Sequence, residues 1–140
     1  MTNIGILSDT HGFVHPRVLE FFKPVDEIWH AGDLGPGVLE QLMAIKPLRA
    51  VWGNIDDHLT RRQLKEYELF TVEEVRVLMI HIGGYPGRYT PSAKQLILRE
   101  KPTLFISGHS HILKVMYDQR FAMLHINPGA AGRYGWHKSF

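Results

Sequence analysis

Short apolar runs that stop at a polar pair or a glycine, each followed by residues with helical spacing, constrain this chain more than any other feature. Ile4 to Leu7 runs into Ser8-Asp9 and Gly12. Val14 to Phe22 then has the spacing of a helix, with Pro16 in its first turn, where a missing N–H costs nothing. Glu27 to His30 leads through Gly32-Asp33 to a helix predicted over Val38 to Ile45, and Leu48 to Trp52 leads to Gly53-Asn54. A short helix over Leu59 to Lys65 follows. Leu69 to Val72 and Val75 to Ile80 read as paired strands by alternation and β-branched content, with His81 ending the second. Thr90 is placed to cap a helix over Pro91 to Arg99, Thr103 to Ser107 is a buried strand, and His109 to His111 lie in the loop after it. Two further strands, Leu113 to Tyr117 and Ala122 to Ile126, precede Asn127-Pro128-Gly129. Strands alternating with helices in this way belong to the α/β class.

With 140 residues and 44% hydrophobic composition, the chain is expected to form one domain over residues 1–140 with a real core. It has no cysteine, so disulfides are excluded and any metal must be held by His, Asp, Asn or water. The formal charge is only +2 and the 16 lysines and arginines are scattered, which gives no strong signal for nucleic acid. Arg61, Arg62 and Lys65 form the densest basic group and read as a solvated helix face. No charged leader precedes Ile4, and no apolar run approaches the roughly 20 residues of a membrane helix. The expectation is a soluble, cytoplasmic protein without a membrane partner. The chain stops at Gly135-Trp136-His137-Lys138-Ser139-Phe140, and a shortened C-terminus is expected.

Asp9-Thr10-His11 and His109-Ser110-His111 are two pairs with the same i, i+2 spacing, and Asp33, Asn54 and His81 stand in order between them. At a strand end this spacing turns both side chains to one face. Seven oxygen and nitrogen ligands are too many for one ion, yet they suit two ions sharing a carboxylate, for which Asp33 is the natural bridge. A single Asp before Thr-His is often a turn or cap, and a single His after a strand is often a bonded core residue. Five polar insertions, each directly after an apolar strand, are not explained that way. They would gather imidazoles and carboxylates with no cation to offset them.

Asp9-x-His11, Gly32-Asp33, Gly53-Asn54, His81 and Gly108-His109-Ser110-His111 together resemble the five blocks of the calcineurin-like metallophosphoesterases, in order and approximate spacing. The short length and the closing Asn127-Pro128-Gly129 look most like the small YfcE-type bacterial phosphodiesterases, a branch that includes a eukaryotic retromer subunit. The resemblance implies an α/β four-layer sandwich of two facing mixed β-sheets flanked by helices. It implies one ion on Asp9, His11 and His111, a second on Asn54, His81 and His109, and Asp33 between them. Catalysis would centre on Asp33, Asn54 and His109, with a bridging hydroxide attacking a phosphodiester. Manganese is the ion expected, with Fe, Zn, Ni and Co compatible with the same ligands. A small phosphoester is the expected partner, and a homo-oligomer is compatible. The alternative is a protein-interaction scaffold on the same fold, as in the retromer subunit.

Two departures from the family pattern stand out. Many members carry His directly after the Asn, facing the leaving group, where this chain has Ile55; and His81-Ile82-Gly83 replaces the commoner Gly directly after His. Asp56 is expected to hold its loop through backbone hydrogen bonds. Ser8 and Ser110 are expected to tune neighbouring ligands, and His30 to be a buried, satisfied histidine. His15, His58, His125 and His137 match no block. Tyr85, Arg88 and Tyr89 are expected in a shaped connection rather than an element, with Arg88 facing solvent, a salt bridge or a phosphate.

Overall fold

The computed structural model describes residues 2–132. Strand and helix alternate through the first half of the chain: β1 (Ile4–Leu7), α1 (Pro16–Phe21), β2 (Glu27–His30), α2 (Val38–Met43), β3 (Leu48–Ala50) and α3 (His58–Gln63). The second half begins with β4 (Tyr67–Val72), β5 (Val75–Ile80), β6 (Gly84–Tyr85) and β7 (Arg88–Tyr89). It continues with α4 (Pro91–Glu100), β8 (Leu104–Ile106), β9 (Lys114–Asp118) and β10 (Met123–Asn127). Every helix and long strand expected from the sequence is present, with ends that match or move by one or two residues. Gly135 to Phe140 lie outside the described residues.

The strands form a three-stranded sheet in the order β1-β2-β3, a five-stranded sheet in the order β4-β5-β8-β10-β9, and the small hairpin β6-β7. The five-stranded sheet is mixed, with β5, β8 and β10 parallel and both edges antiparallel. The three-stranded sheet is parallel throughout among the described residues, where a mixed sheet was expected. Helical crossovers α1 and α2 join its strands, and a crossover returns the chain in the same direction. The β6-β7 hairpin is a second difference. Its strands have two residues each, too few for any periodicity to show.

Period-2 alternation sends neighbouring side chains to different cores. In β5, Leu78 and Ile80 join Ala93, Leu96 and Ile97 of α4, whereas Val77 and Met79 join Trp29 of β2. Ile28 faces the other way, into a cluster with Val18 of α1 and Leu42 of α2. Helix α2 has only six residues, too short to persist alone, and Val38, Leu39 and Leu42 are all buried. Burial of each such side chain contributes about 1.5–3 kcal/mol, and that tertiary contact holds the helix. No helix among the described residues is long and apolar enough to cross a membrane.

Candidate metal centre

Each side chain singled out by its spacing lies at or just beyond the carboxyl end of a strand. Asp9 and His11 follow β1, Asp33 follows β2, Asn54 follows β3, His81 follows β5, and His109 and His111 follow β8. Such ends are where α/β sheets build sites. Asp9, His11, Asp33, His109 and His111 all have φ between 48° and 74°. This left-handed region costs a non-glycine residue on the order of 1–3 kcal/mol. Crossing backbone bonds hold the strain in place: Asp9 N–H donates to Gly32 O (3.0 Å), His11 N–H to Asp33 O (3.1 Å) and Gly12 N–H to Leu34 O (2.7 Å). The loops after β1 and β2 therefore continue to pair beyond their sheet.

The seven side chains are brought together. Ligand atoms of Asp9, His11, Asp33 and His111 lie within 4.8 Å of one another, as do those of Asp33, His81 and His109, and Asp33 belongs to both groups. Asn54 Oδ1 completes the second group, 3.0 Å from His81 Nε2 and 2.9 Å from His109 Nδ1. Asp9 Oδ2 accepts from Ser8 Oγ (2.6 Å) and from the His109 N–H (3.1 Å). Its other oxygen, Oδ1, is buried without a hydrogen-bond donor, 3.2 Å from His111 Nε2 and 3.8 Å from both His11 Nε2 and His81 Nε2. A buried carboxylate oxygen turned towards three imidazole nitrogens is a donor set that fits a divalent cation.

The electrostatics agree. His81 Nδ1–H donates to Ala31 O at 2.7 Å, which turns Nε2 towards Asp33 Oδ2 at 3.2 Å. Burial works to lower the His81 pKa, but the Asp33 hydrogen bond and the Asp9 charge outweigh it and raise the pKa above its ordinary value. Burial likewise works to raise the Asp33 carboxyl, and the His81 contact with the Ile55 N–H (3.0 Å) holds it below the usual carboxylate range. Positive charge is favoured between these groups, whether from a proton or from a metal ion, and metal binding at His81 must therefore compete with protons.

The supporting residues carry more than their sequence suggests. Asp56 is buried and its carboxylate accepts four backbone N–H groups: Asp33 (3.0 Å), Leu34 (3.2 Å), Gly35 (3.0 Å) and Gly53 (2.8 Å). It ties the loop of Asp33 to the loop of Asn54, beyond the single-loop role expected. Arg61, Arg62 and Lys65 are all exposed, as expected of a solvated face, and Arg61 has partners besides. Its guanidinium lies 4.3 Å over the Trp52 ring and donates to the carbonyls of Asp56 (2.9 Å), Asn54 (3.2 Å) and Gly53 (3.4 Å). Asn127 donates through Nδ2 to Gly108 O (3.1 Å) and Ser110 Oγ (3.2 Å), and Tyr85 from the hairpin also donates to Ser110 Oγ. Arg88 is exposed on β7. Ser110 was expected to support the ligands, but its partners Asn127 and Tyr85 come from distant segments that no local pattern pairs with it. At Gly53 a Cβ would collide with Asp33 Oδ1, and at Gly108 it would collide with Ser8 Oγ, so both positions need a bare backbone.

His30 is buried and satisfied, as expected: Nδ1 accepts the Gly32 N–H (3.1 Å), and Nε2 meets Thr10 Oγ1 at 3.0 Å. Burial lowers its pKa to about 3 and that of His125, set among Tyr85, Tyr89 and Phe105, to about 4. Both are neutral in the fold and titrate near 6.5 once unfolded. Their contribution is complete above pH ~6.5 and is lost as pH falls towards the folded pKa values, at about 1.4 kcal/mol per pH unit for each group. Urea unfolding of the metal-free protein between pH 6.5 and 4.5 should show this two-proton slope, and His125→Phe should remove about half of it. A flat profile would contradict the neutral assignment.

Two clusters of ligand atoms joined by one carboxylate, at the strand ends of an α/β fold, define a metal-dependent hydrolase class of site. Residues 2–140 match the calcineurin-like phosphoesterase superfamily domain, and the chain belongs to that family. It is 34% identical over 135 residues to a probable metallophosphoesterase of Methanothermobacter thermautotrophicus, covering 91% of this chain and 76% of that protein. Among solved structures it is similar to an archaeal phosphodiesterase, with a TM-score of 0.72 at 20% identity over 91% of this chain and 84% of the other. It is also similar to Vps29 from Entamoeba histolytica complexed with zinc, with a TM-score of 0.75 at 18% identity over 95% of this chain and 77% of the other. These two likenesses establish the fold.

Proposed function

We propose that the chain is a phosphodiesterase with two divalent ions, one on Asp9, His11 and His111, the other on Asn54, His81 and His109, with Asp33 shared. The observation that carries this is the pair of ligand clusters meeting at one carboxylate. When bound, the ions would acidify a water to a nucleophile and offset charge on the phosphoryl oxygens. The chain's own part is to hold that charge in a fixed geometry. Asp9 and Asp33 are anchored by N–H and O–H donors, His81 is oriented by Ala31 O, and Asn54 offers a carbonyl oxygen without adding a negative charge where an anionic ester approaches. His109 is the exposed member of the group it forms with Asp33 and His81, so a phosphoryl oxygen can reach it from solvent.

Manganese is our choice of ion, with Fe, Zn, Ni and Co open to the same ligands. The cysteine-free chain accords with the cytoplasm, a small phosphoester is the partner, and self-association is compatible with it. The helix–sheet–sheet–helix order of the three core clusters supports the four-layer sandwich, and residues 1–140 are best read as one domain. Metal analysis together with hydrolysis of bis-p-nitrophenyl phosphate across these ions tests the reading. Two ions and turnover are expected. Two ions with no turnover would favour the scaffold alternative.

Ile55 bears on substrate choice. It is 45% exposed and cannot donate a proton to a leaving group. A diester carries a single charge, and one with a good leaving group needs no such donor, so diesters of this kind are the preferred substrates. Ile55→His should raise turnover of alkyl esters by about 10- to 100-fold and change p-nitrophenyl esters little. Equal gains for both would show that the imidazole is not what limits the range.

A further inference from the structure

Beside Asn54 and His81 the surface opens into a cavity of about 300 Å³, at the lower bound of small-ligand pockets. Trp52 and Ile82 give it apolar wall, and Arg61, Glu66 and Ser92 give it polar groups. None of these five belongs to the two ligand clusters. Arg61 and Trp52 are already stacked and bonded to the loop that carries Asn54, so two planar groups stand ordered beside the reaction centre with little left to freeze on binding. Apart from His81, which belongs to the ligand clusters, Arg61 is the one cation and Glu66 the one anion of the lining, and they offset each other, so a second phosphate gains no net attraction from them. An acyl chain would strip water from the Glu66 carboxylate and the Ser92 hydroxyl without giving them partners. A neutral ring that carries its own donors and acceptors meets both the flat wall and the polar groups.

We propose that this cavity is the subsite for the organic alcohol that stays on phosphorus, and that it takes a neutral, ring-bearing group of nucleoside size. The proposal rests on the phosphodiesterase reading and deepens it.

Three esters that all release p-nitrophenolate separate the two: thymidine 5′-(p-nitrophenyl phosphate), methyl p-nitrophenyl phosphate and bis-p-nitrophenyl phosphate. With the metal-loaded protein, kcat/KM for the thymidine ester should exceed that for the methyl ester by about tenfold, mainly through KM. The bis-aryl ester, whose ring lacks the donors, should fall between them. Filling the cavity with Ser92→Trp should bring the thymidine-to-methyl ratio near one. Ile82→Trp, from a different segment, should do the same and covers a folding failure of the first variant. In the metal-free protein, thymidine alone at millimolar concentration should shift the Trp52 indole N–H resonance, and Ser92→Trp should suppress the shift. Turnover of none of the esters would overturn the phosphodiesterase reading, while a Trp52 shift without turnover would leave the cavity as a nucleoside site. Equal kcat/KM for all three, an advantage that survives both filling variants, or an unmoved Trp52 resonance would overturn the subsite.

Discussion

Asp33→Asn should leave a folded protein that binds neither ion pair nor substrate productively, with phosphodiesterase activity lower by about a thousand-fold or more. The substitution is chosen because it separates charge from architecture. Asp33 Oδ1 accepts the Ile55 N–H at 3.0 Å, and an amide oxygen can take over that bond. What the amide cannot supply is the negative charge shared between the two clusters. In the wild-type protein, metal at about 100 times its Kd should add about 2.7 kcal/mol per site to the folded state, seen as a rise in Tm on adding Mn²⁺. In Asp33→Asn that rise should shrink to a fraction, while the metal-free Tm falls modestly, because His81 loses the carboxylate partner whose charge the folded site favours. A variant that keeps the full metal-dependent rise would remove Asp33 from the bridge.

Asp56→Ala should be the most destabilising single change to a residue that touches neither the ligand clusters' donor atoms nor the hydrophobic core. Four backbone N–H groups, of Asp33, Leu34, Gly35 and Gly53, lose their acceptor at once in a region only 5% exposed at Asp56. A buried donor left unsatisfied costs about 1–3 kcal/mol, and partial relief by entering water brings the total to about 3–5 kcal/mol. That corresponds to a Tm lower by about 10 °C or more. Asp57 provides the comparison. Its side chain caps α3 through the Thr60 N–H at 2.9 Å on the exposed surface, where water can replace it, so Asp57→Ala should cost far less than Asp56→Ala. Equal losses at the two positions would mean that the loops after β2 and β3 do not depend on Asp56. Activity should fall with Asp56→Ala even below its melting transition, since both Asp33 and Asn54 sit on loops it ties.

How much of this was visible beforehand differs between neighbours in the chain. Leu7, Ile28 and Leu42 could be placed in a core because apolar periodicity is a local property, and α4 could be bounded because Thr90 and Pro91 are local signals. The β6-β7 hairpin escaped because two-residue strands carry no period, and their pairing depends on what lies beside them. The contacts of Arg61 escaped for a related reason: beside Arg62 it looks like any solvated cation, and only the return of Trp52 and the carbonyls of Gly53, Asn54 and Asp56 gives the guanidinium its partners. Asp56 was legible as a residue that bonds backbone, but not as one that ties two loops, since Asp33 is 23 positions away in sequence.

The sequence by itself determined which residue types arrive at the ends of which strands: carboxylates at Asp9 and Asp33, an amide at Asn54, imidazoles at His11, His81, His109 and His111. Strand length, turn residues and ligand type are all written within a few neighbouring positions, and that is why they could be read without coordinates. The tertiary structure alone decided that two sheets present those ends side by side, that five of the ligand residues are held at positive φ, and that Asp9 Oδ1 is left buried without a donor. Those are properties of packing between segments up to 100 residues apart, as in the His109 N–H on Asp9 Oδ2. No local pattern encodes them, because the strain at each loop is compensated by hydrogen bonds whose partners come from other strands.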